Sequence, residues 1–221
     1  MSPTTRVRFR TVAVAIAPAL LLAGFVYHPY VAKPTDEAAL AAAIASDTTR
    51  WGLSHLAIGV GYGLVVLAFI AIRSYLREAG EERWSALALP FSVMGCSLFV
   101  ILTGMEFAPM TAAETGGDVE AAQSELTPWF LPILIAGGVS FTLGAVGFAM
   151  GILRSGVLST QATRLVVGAL VVMAAARFVP LGAAQYVIGV AGIVALSLLA
   201  SAMWKHPEPR PEGQRQSVPA T

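Results

Sequence analysis

Four ionisable side chains in apolar surroundings, His28, His55, Glu106 and Arg177, hold most of the chemistry open to this chain. Imidazole nitrogens with a carboxylate oxygen suit zinc, and paired histidines also ligate haem iron, so His28, His55 and Glu106 form a candidate metal or haem set. Arg177 offers a cation to an anionic group, and Gln185 and Tyr186 begin a helix at the same level. The ligands come from separate segments, without the HxxxH or ExxH spacing of recognised metal motifs. The chain also lacks GxSxG, HExxH, a phosphate-binding loop and a dinucleotide fingerprint between strand and helix. An enzyme reading therefore rests on His55 or Glu106 as general acid or base, and whether the protein is an enzyme stays open at this level.

The elements that must position these groups belong to a membrane bundle. Over 221 residues, 56% are hydrophobic and 12% charged, with a mean hydropathy of +0.72, outside the range of ordinary soluble domains. Spans of about 20 residues fit about six times into this length. The sequence predicts an all-α polytopic bundle of six transmembrane helices within residues 1–204, at Thr11 to Tyr27, Trp51 to Ile72, Ser85 to Ala108, Pro128 to Leu153, Leu165 to Pro180 and Gly182 to Met203. The fifth is short and runs through Arg177 and Pro180 into the sixth, predicting a tight hairpin with a single broken span as the alternative. Residues 205–221 are rich in proline and polar groups and predict a disordered cytoplasmic tail in which His206 is solvated.

Basic residues orient the bundle, because retained loops are enriched in Lys and Arg. Arg6, Arg8, Arg10, Arg73, Arg77, Arg83, Arg154, Arg164, Lys205, Arg210 and Arg215 fall on one predicted side; Lys33, Arg50 and Arg177 fall on the other, among acidic neighbours. Both termini are expected in the cytoplasm of a bacterial cell, with the bundle in its cytoplasmic membrane. Trp51 and Trp129 are expected at outer headgroups, Trp84 and Trp204 at inner ones. The basic start and first apolar stretch also fit a signal peptide, but no small-x-small cleavage site follows, favouring an uncleaved anchor.

Polar and small residues recur at helical spacing on two spans. His55, Gly59, Tyr62 and Gly63 form one stripe and Ser92, Cys96, Thr103 and Glu106 another. Both are expected to face protein, with Gly137, Gly138 and Ser140 doing likewise on the fourth span. Cys96 is the only cysteine, which excludes an internal disulfide or CxxC pair and leaves a small apolar contact. Lys33 to Arg50 predicts a short helix capped by Thr35, with Asp36 and Glu37 in its first turn and Leu40 and Ile44 on one face. Thr111 to Thr127, acidic and containing Gly116 and Gly117, predicts a mobile loop. No internal repeat is evident.

His55 and Glu106 should lie at matching depth, where pairing would offset the cost of ionisable groups in the membrane. Three readings follow. The cluster of His28, His55, Glu106, Arg177 and Gln185 serves a structural, assembly or sensor subunit, with Glu106 paired to Arg177 or His55. It is a metal or haem site. Or it binds a small solute or lipid headgroup, as a binding protein or transporter, with Arg177 on the anion; the apolar inner halves of the spans argue against a permeation path. The bilayer is the expected surrounding, and a membrane protein or second copy of the chain the candidate partner. The net charge of +1 gives no reason to expect nucleic acid.

Overall fold

The computed structural model describes residues 3–206; of the tail expected at 205–221, Lys205 ends the last helix and His206 caps it, and the rest, from Pro207 onward, lies outside the described residues. The described chain is helical, with no strands. Lipid offers no hydrogen bonds to the backbone, so apolar segments must satisfy their amides within helices. Six segments among the described residues are long and apolar enough to cross a membrane. They are α1 (Pro3–Tyr27), α3 (Thr48–Glu78), α4 (Arg83–Met105) running on into α5 (Phe107–Thr115), α6 (Val119–Ser155), α7 (Thr160–Ala175) with a 3₁₀ turn at Ala176–Phe178, and α8 (Ala183–Lys205). The short α2 (Glu37–Ser46) precedes α3. The fifth and sixth spans are separate helices forming a hairpin, so the broken-span alternative falls away.

Each span packs on its neighbour in sequence, and α8 returns to α1, closing a ring of six. The start of α1 and the end of α8 therefore share one face, the termini face, where Arg8 lies over the Trp204 ring at 5.7 Å and Arg10 pairs with Glu78 at 3.0 Å. Trp84 on the same face lies between Arg83 and Arg154, 5.6 and 5.3 Å from its ring. The interior is packed by Val65, Phe69, Ile72, Leu76, Phe141, Phe148, Ile152, Leu196 and Leu199. Close approach of α4 and α6 depends on missing side chains: a Cβ on Gly95 would lie 2.6 Å from the Phe141 nitrogen, and one on Gly144 would meet the Ser92 hydroxyl and lie 2.7 Å from its nitrogen. Small residues at such seams let dispersion contacts accumulate where no hydrophobic drive separates protein from lipid. Gly59 meets Thr103 and Gly61 meets Leu21, as packing requires, whereas Gly63 has nothing within 4 Å. The expectation that Gly63 faces protein is corrected, because one further residue along α3 turns it out of the contact.

The side opposite the termini is more built than the sequence suggests. Asp36, not Thr35, caps α2 by accepting from Ala39 N at 3.0 Å. Asp47 ends α2 and caps α3, accepting from Arg50 N at 2.8 Å. The expected loop after Thr111 is instead the end of α5, a turn through Gly116 in the left-handed region (φ 74°), and α6 capped by Asp118. Each such cap contributes about 1 kcal/mol, enough to extend α6 through acidic sequence that hydropathy does not mark. The helix also continues across Pro128 and Pro132. The α2, α5 and α6 segments pack together as a cap, tied by Thr127 Oγ1 donating to Glu37 at 3.0 Å and by the fully buried Ile44.

Candidate functional site

Beneath this cap, His28, Trp51 and His55 form a triangle of rings. Centroids are 4.6 Å apart for His28 and Trp51, 4.6 Å for Trp51 and His55, and 4.9 Å for the two histidines. His28 follows directly on α1, while Trp51 and His55 lie one turn apart on one face of α3. Arg50 joins the two elements: its Nε donates to Tyr27 O at 2.7 Å, filling a carbonyl left open at the end of α1. His28 Nδ1–H donates to Pro29 O at 2.7 Å, and His55 Nδ1–H to Trp51 O at 2.9 Å. Because a carbonyl only accepts, each neutral ring then carries its lone pair on Nε2. Burial holds the His28 pKa below its usual value, and the Arg50 charge acts in the same direction against the Pro29 hydrogen bond. Trp51 is buried within the triangle, with its Nε1–H unpartnered. Trp51 lies in the first turn of α3, at the end of that span, but is buried among protein side chains, whereas Trp129 and Trp204 are exposed, as amphipathic ring anchors should be.

Glu106 marks the break between α4 and α5 and is buried. Its hydrogen-bonding neighbour is the Gln123 side chain on the extended part of α6, and Glu106 Oε2 and Gln123 Oε1 are both buried without partners. Among the described residues no hydrogen bond or ion pair joins Glu106 to His55 or to Arg177. The two expected pairings are corrected: α6 reaches Glu106 first, from sequence read as loop.

Arg177, in the 3₁₀ turn, reaches back into the bundle. Its guanidinium carbon lies 3.9 Å from the Phe141 centroid, 4.4 Å from Phe99 and 5.5 Å from Tyr62. Nη1 donates to Tyr62 Oη at 3.0 Å, and Cys96 is close enough to feel its charge. Nε and Nη2 are buried with no hydrogen-bond partner. At 1.5 Å per residue, Cys96 and Phe141 lie roughly 20 Å along their helices from the termini face, so this cation sits within the spanning region. Three cation–π contacts of about 0.5–2 kcal/mol each offset part of a desolvation cost of several kcal/mol. Two nitrogens of the charged guanidinium remain unused, and a hydrogen bond from either is worth about 1.5–3 kcal/mol.

Gln185 is half-buried at the start of α8. It is placed by the adjoining turn, where Gly182 N donates to Ala32 O at 3.0 Å and a Cβ on Gly182 would strike the Val31 carbonyl. The neighbouring Tyr186 stacks on Tyr30 at 6.3 Å. The structure thus brings His28 and His55 together, gives Glu106 a different neighbour and holds Arg177 in an aromatic cage. Among the described residues no three His, Cys, Asp or Glu side chains converge as a metal-ligand set. Gln123, Phe99 and Phe141 carry no sequence signal of this role, and Trp51 reads from sequence only as an interfacial tryptophan; its four-residue step to His55 is the one legible signal of a shared face. No family model matches the chain, and no curated protein and no solved structure gives a significant match.

Proposed function

We propose that this protein is a sensor subunit of a bacterial cytoplasmic membrane, both termini cytoplasmic, that recognises a small polar ligand on its outer side through His28, Trp51, His55, Glu106 and Gln123. The observation carrying this reading is where hydrogen-bonding capacity goes unused. Native folds pair nearly all buried polar atoms, yet Trp51 Nε1, Glu106 Oε2 and Gln123 Oε1 are unpartnered at the histidine end of the bundle and two Arg177 nitrogens deeper in it, while Trp84 Nε1 and Ser92 Oγ are isolated instances toward the termini. The other half is mainly packed hydrocarbon, which favours recognition from one side over passage through the bundle. Gln185 stands at the edge of the same region. A neighbouring membrane protein or second copy would receive the signal through the lipid-facing helix surfaces.

The test is native mass spectrometry of protein extracted gently from its own membrane. A non-covalent adduct on the wild type, lost in both His55→Ala and Glu106→Gln while insertion persists, supports the reading. Bare protein from the same preparation, or an adduct kept by both variants, argues against it.

A second reading has its own observation. Both histidines tie Nδ1–H to a backbone carbonyl, the orientation that second-shell groups impose on metal-bound imidazoles. Elemental analysis for zinc, copper and iron, with an absorption spectrum for haem, decides it. Stoichiometric metal lost in His55→Ala supports a two-histidine centre, and metal-free protein purified without chelators removes it.

A further inference from the structure

The Arg177 cage has a geometry of its own, deeper than the histidine triangle. In a planar guanidinium Nε–H and one Nη2–H point along the same edge, the edge that meets two oxygens of a carboxylate or phosphate at once. Here Nη1 is already committed to Tyr62, while Nε and Nη2 are the two atoms left buried and unpartnered. The surrounding walls are apolar, formed by Phe99 and Phe141 with the Tyr62 ring. Among the described residues the ion pair is Arg10 with Glu78 on the termini face, and no protein carboxylate pairs with Arg177. The next residue, Phe178, is 54% exposed and lies over Gly138 of α6, its ring 3.4 Å from where a Cβ would be. That places an apolar, exposed side chain over α6 one residue along the chain from Arg177.

We propose that the Nε and Nη2 edge of Arg177 binds the oxyanion head of an acidic amphiphile, a carboxylate or phosphate on an apolar chain, entering laterally from the lipid. The inference goes beyond the recognition reading, assigning a second site with its own ligand class. The depth of the cation selects for the chain: an acid without one must leave water to reach a site within the spanning region, whereas a lipid-soluble acid is already there. Tyr62 holds the guanidinium plane so that the unused edge is presented rather than rotated away.

The experiment uses purified full-length protein in a neutral maltoside detergent and follows the unfolding midpoint as oleate, hexadecyl phosphate, oleyl alcohol, acetate or inorganic phosphate is added. A saturable rise of about 5 °C with oleate or hexadecyl phosphate at large excess is expected, with little from the alcohol or the chainless anions. A rise with oleate alone assigns the carboxylate source, with hexadecyl phosphate alone the phospholipid source, and with both the shared oxyanion. Arg177→Lys, which keeps charge but loses the fork, is expected to weaken binding at least tenfold, and Arg177→Gln to abolish it. An equal rise with oleyl alcohol, no rise with any probe, or an undiminished rise in Arg177→Lys overturns the proposal. Should Arg177→Gln fail to fold, the wild-type contrast of oleate against oleyl alcohol still decides. His55→Ala is expected to keep oleate binding, so failure of the histidine cluster and failure of this site give different results.

Discussion

His28 sits just beyond the end of α1, where burial and the Arg50 charge lower its pKa from the ordinary value of 6.5. The unfolded state therefore binds the proton more readily, and stability rises with pH over this range. The contribution is complete above about 6.5 and is lost as pH falls toward the lowered value. Chemical denaturation in detergent should find the protein less stable at pH 5 than at pH 7.5, with the slope reduced in His28→Gln; an unchanged slope would mean another group controls it. Trp51→Phe keeps the ring contacts but removes the unpartnered Nε1–H. Without a ligand it should be neutral or slightly stabilising, because deleting an unsatisfied buried donor relieves about 1–3 kcal/mol of desolvation. If the recognition reading holds, the same variant loses the native adduct.

At the level of elements, the α4 and α6 seam and the caps make separable predictions. Gly144→Ala places a methyl against Ser92 backbone and should cost about 1–3 kcal/mol by overpacking. Gly63→Ala, with open space around it, should be neutral or gain up to about 1 kcal/mol from its helix preference. Thermal unfolding of the two variants side by side checks both. The spans were legible because each is a long apolar run whose signal does not depend on its neighbours. The cap was not: Glu114 to Glu125 is acidic, and its helices are specified by Asp118 and Gly116 and by packing on α2 rather than by hydropathy. Once that segment is helical, Gln123 becomes a neighbour of Glu106, and the pairing inferred from depth alone fails. The Arg177 cage was hidden for a related reason. Tyr62, Phe99 and Phe141 come from three helices, and no spacing within one helix reports their meeting.

For the whole molecule, ring closure and the distribution of charge bear on topology. Cys96 is the only cysteine and is buried, so an introduced thiol can be labelled against a quiet background. In intact spheroplasts a membrane-impermeant maleimide should modify Glu114→Cys and not Arg164→Cys until the membrane is broken. The reverse pattern would invert the proposed orientation and move the histidine triangle to the cytoplasmic side. Sequence could place the basic residues on one side, since that needs only the order of the spans. It could not foresee that Arg8 and Arg10 meet Trp204 and Glu78, which requires α8 to come back to α1.

That return means the bundle has no structurally privileged first or last helix. The ends of α1 and α8 lie side by side, and the turn between α6 and α7, around Gly156 to Ser159, opens on the same face. A circular permutant that joins the old ends and begins at this turn keeps every crossing, every neighbour and the same sidedness for its new ends. Assembly of the ring is then a property of which helices touch, independent of the order in which a ribosome delivers them.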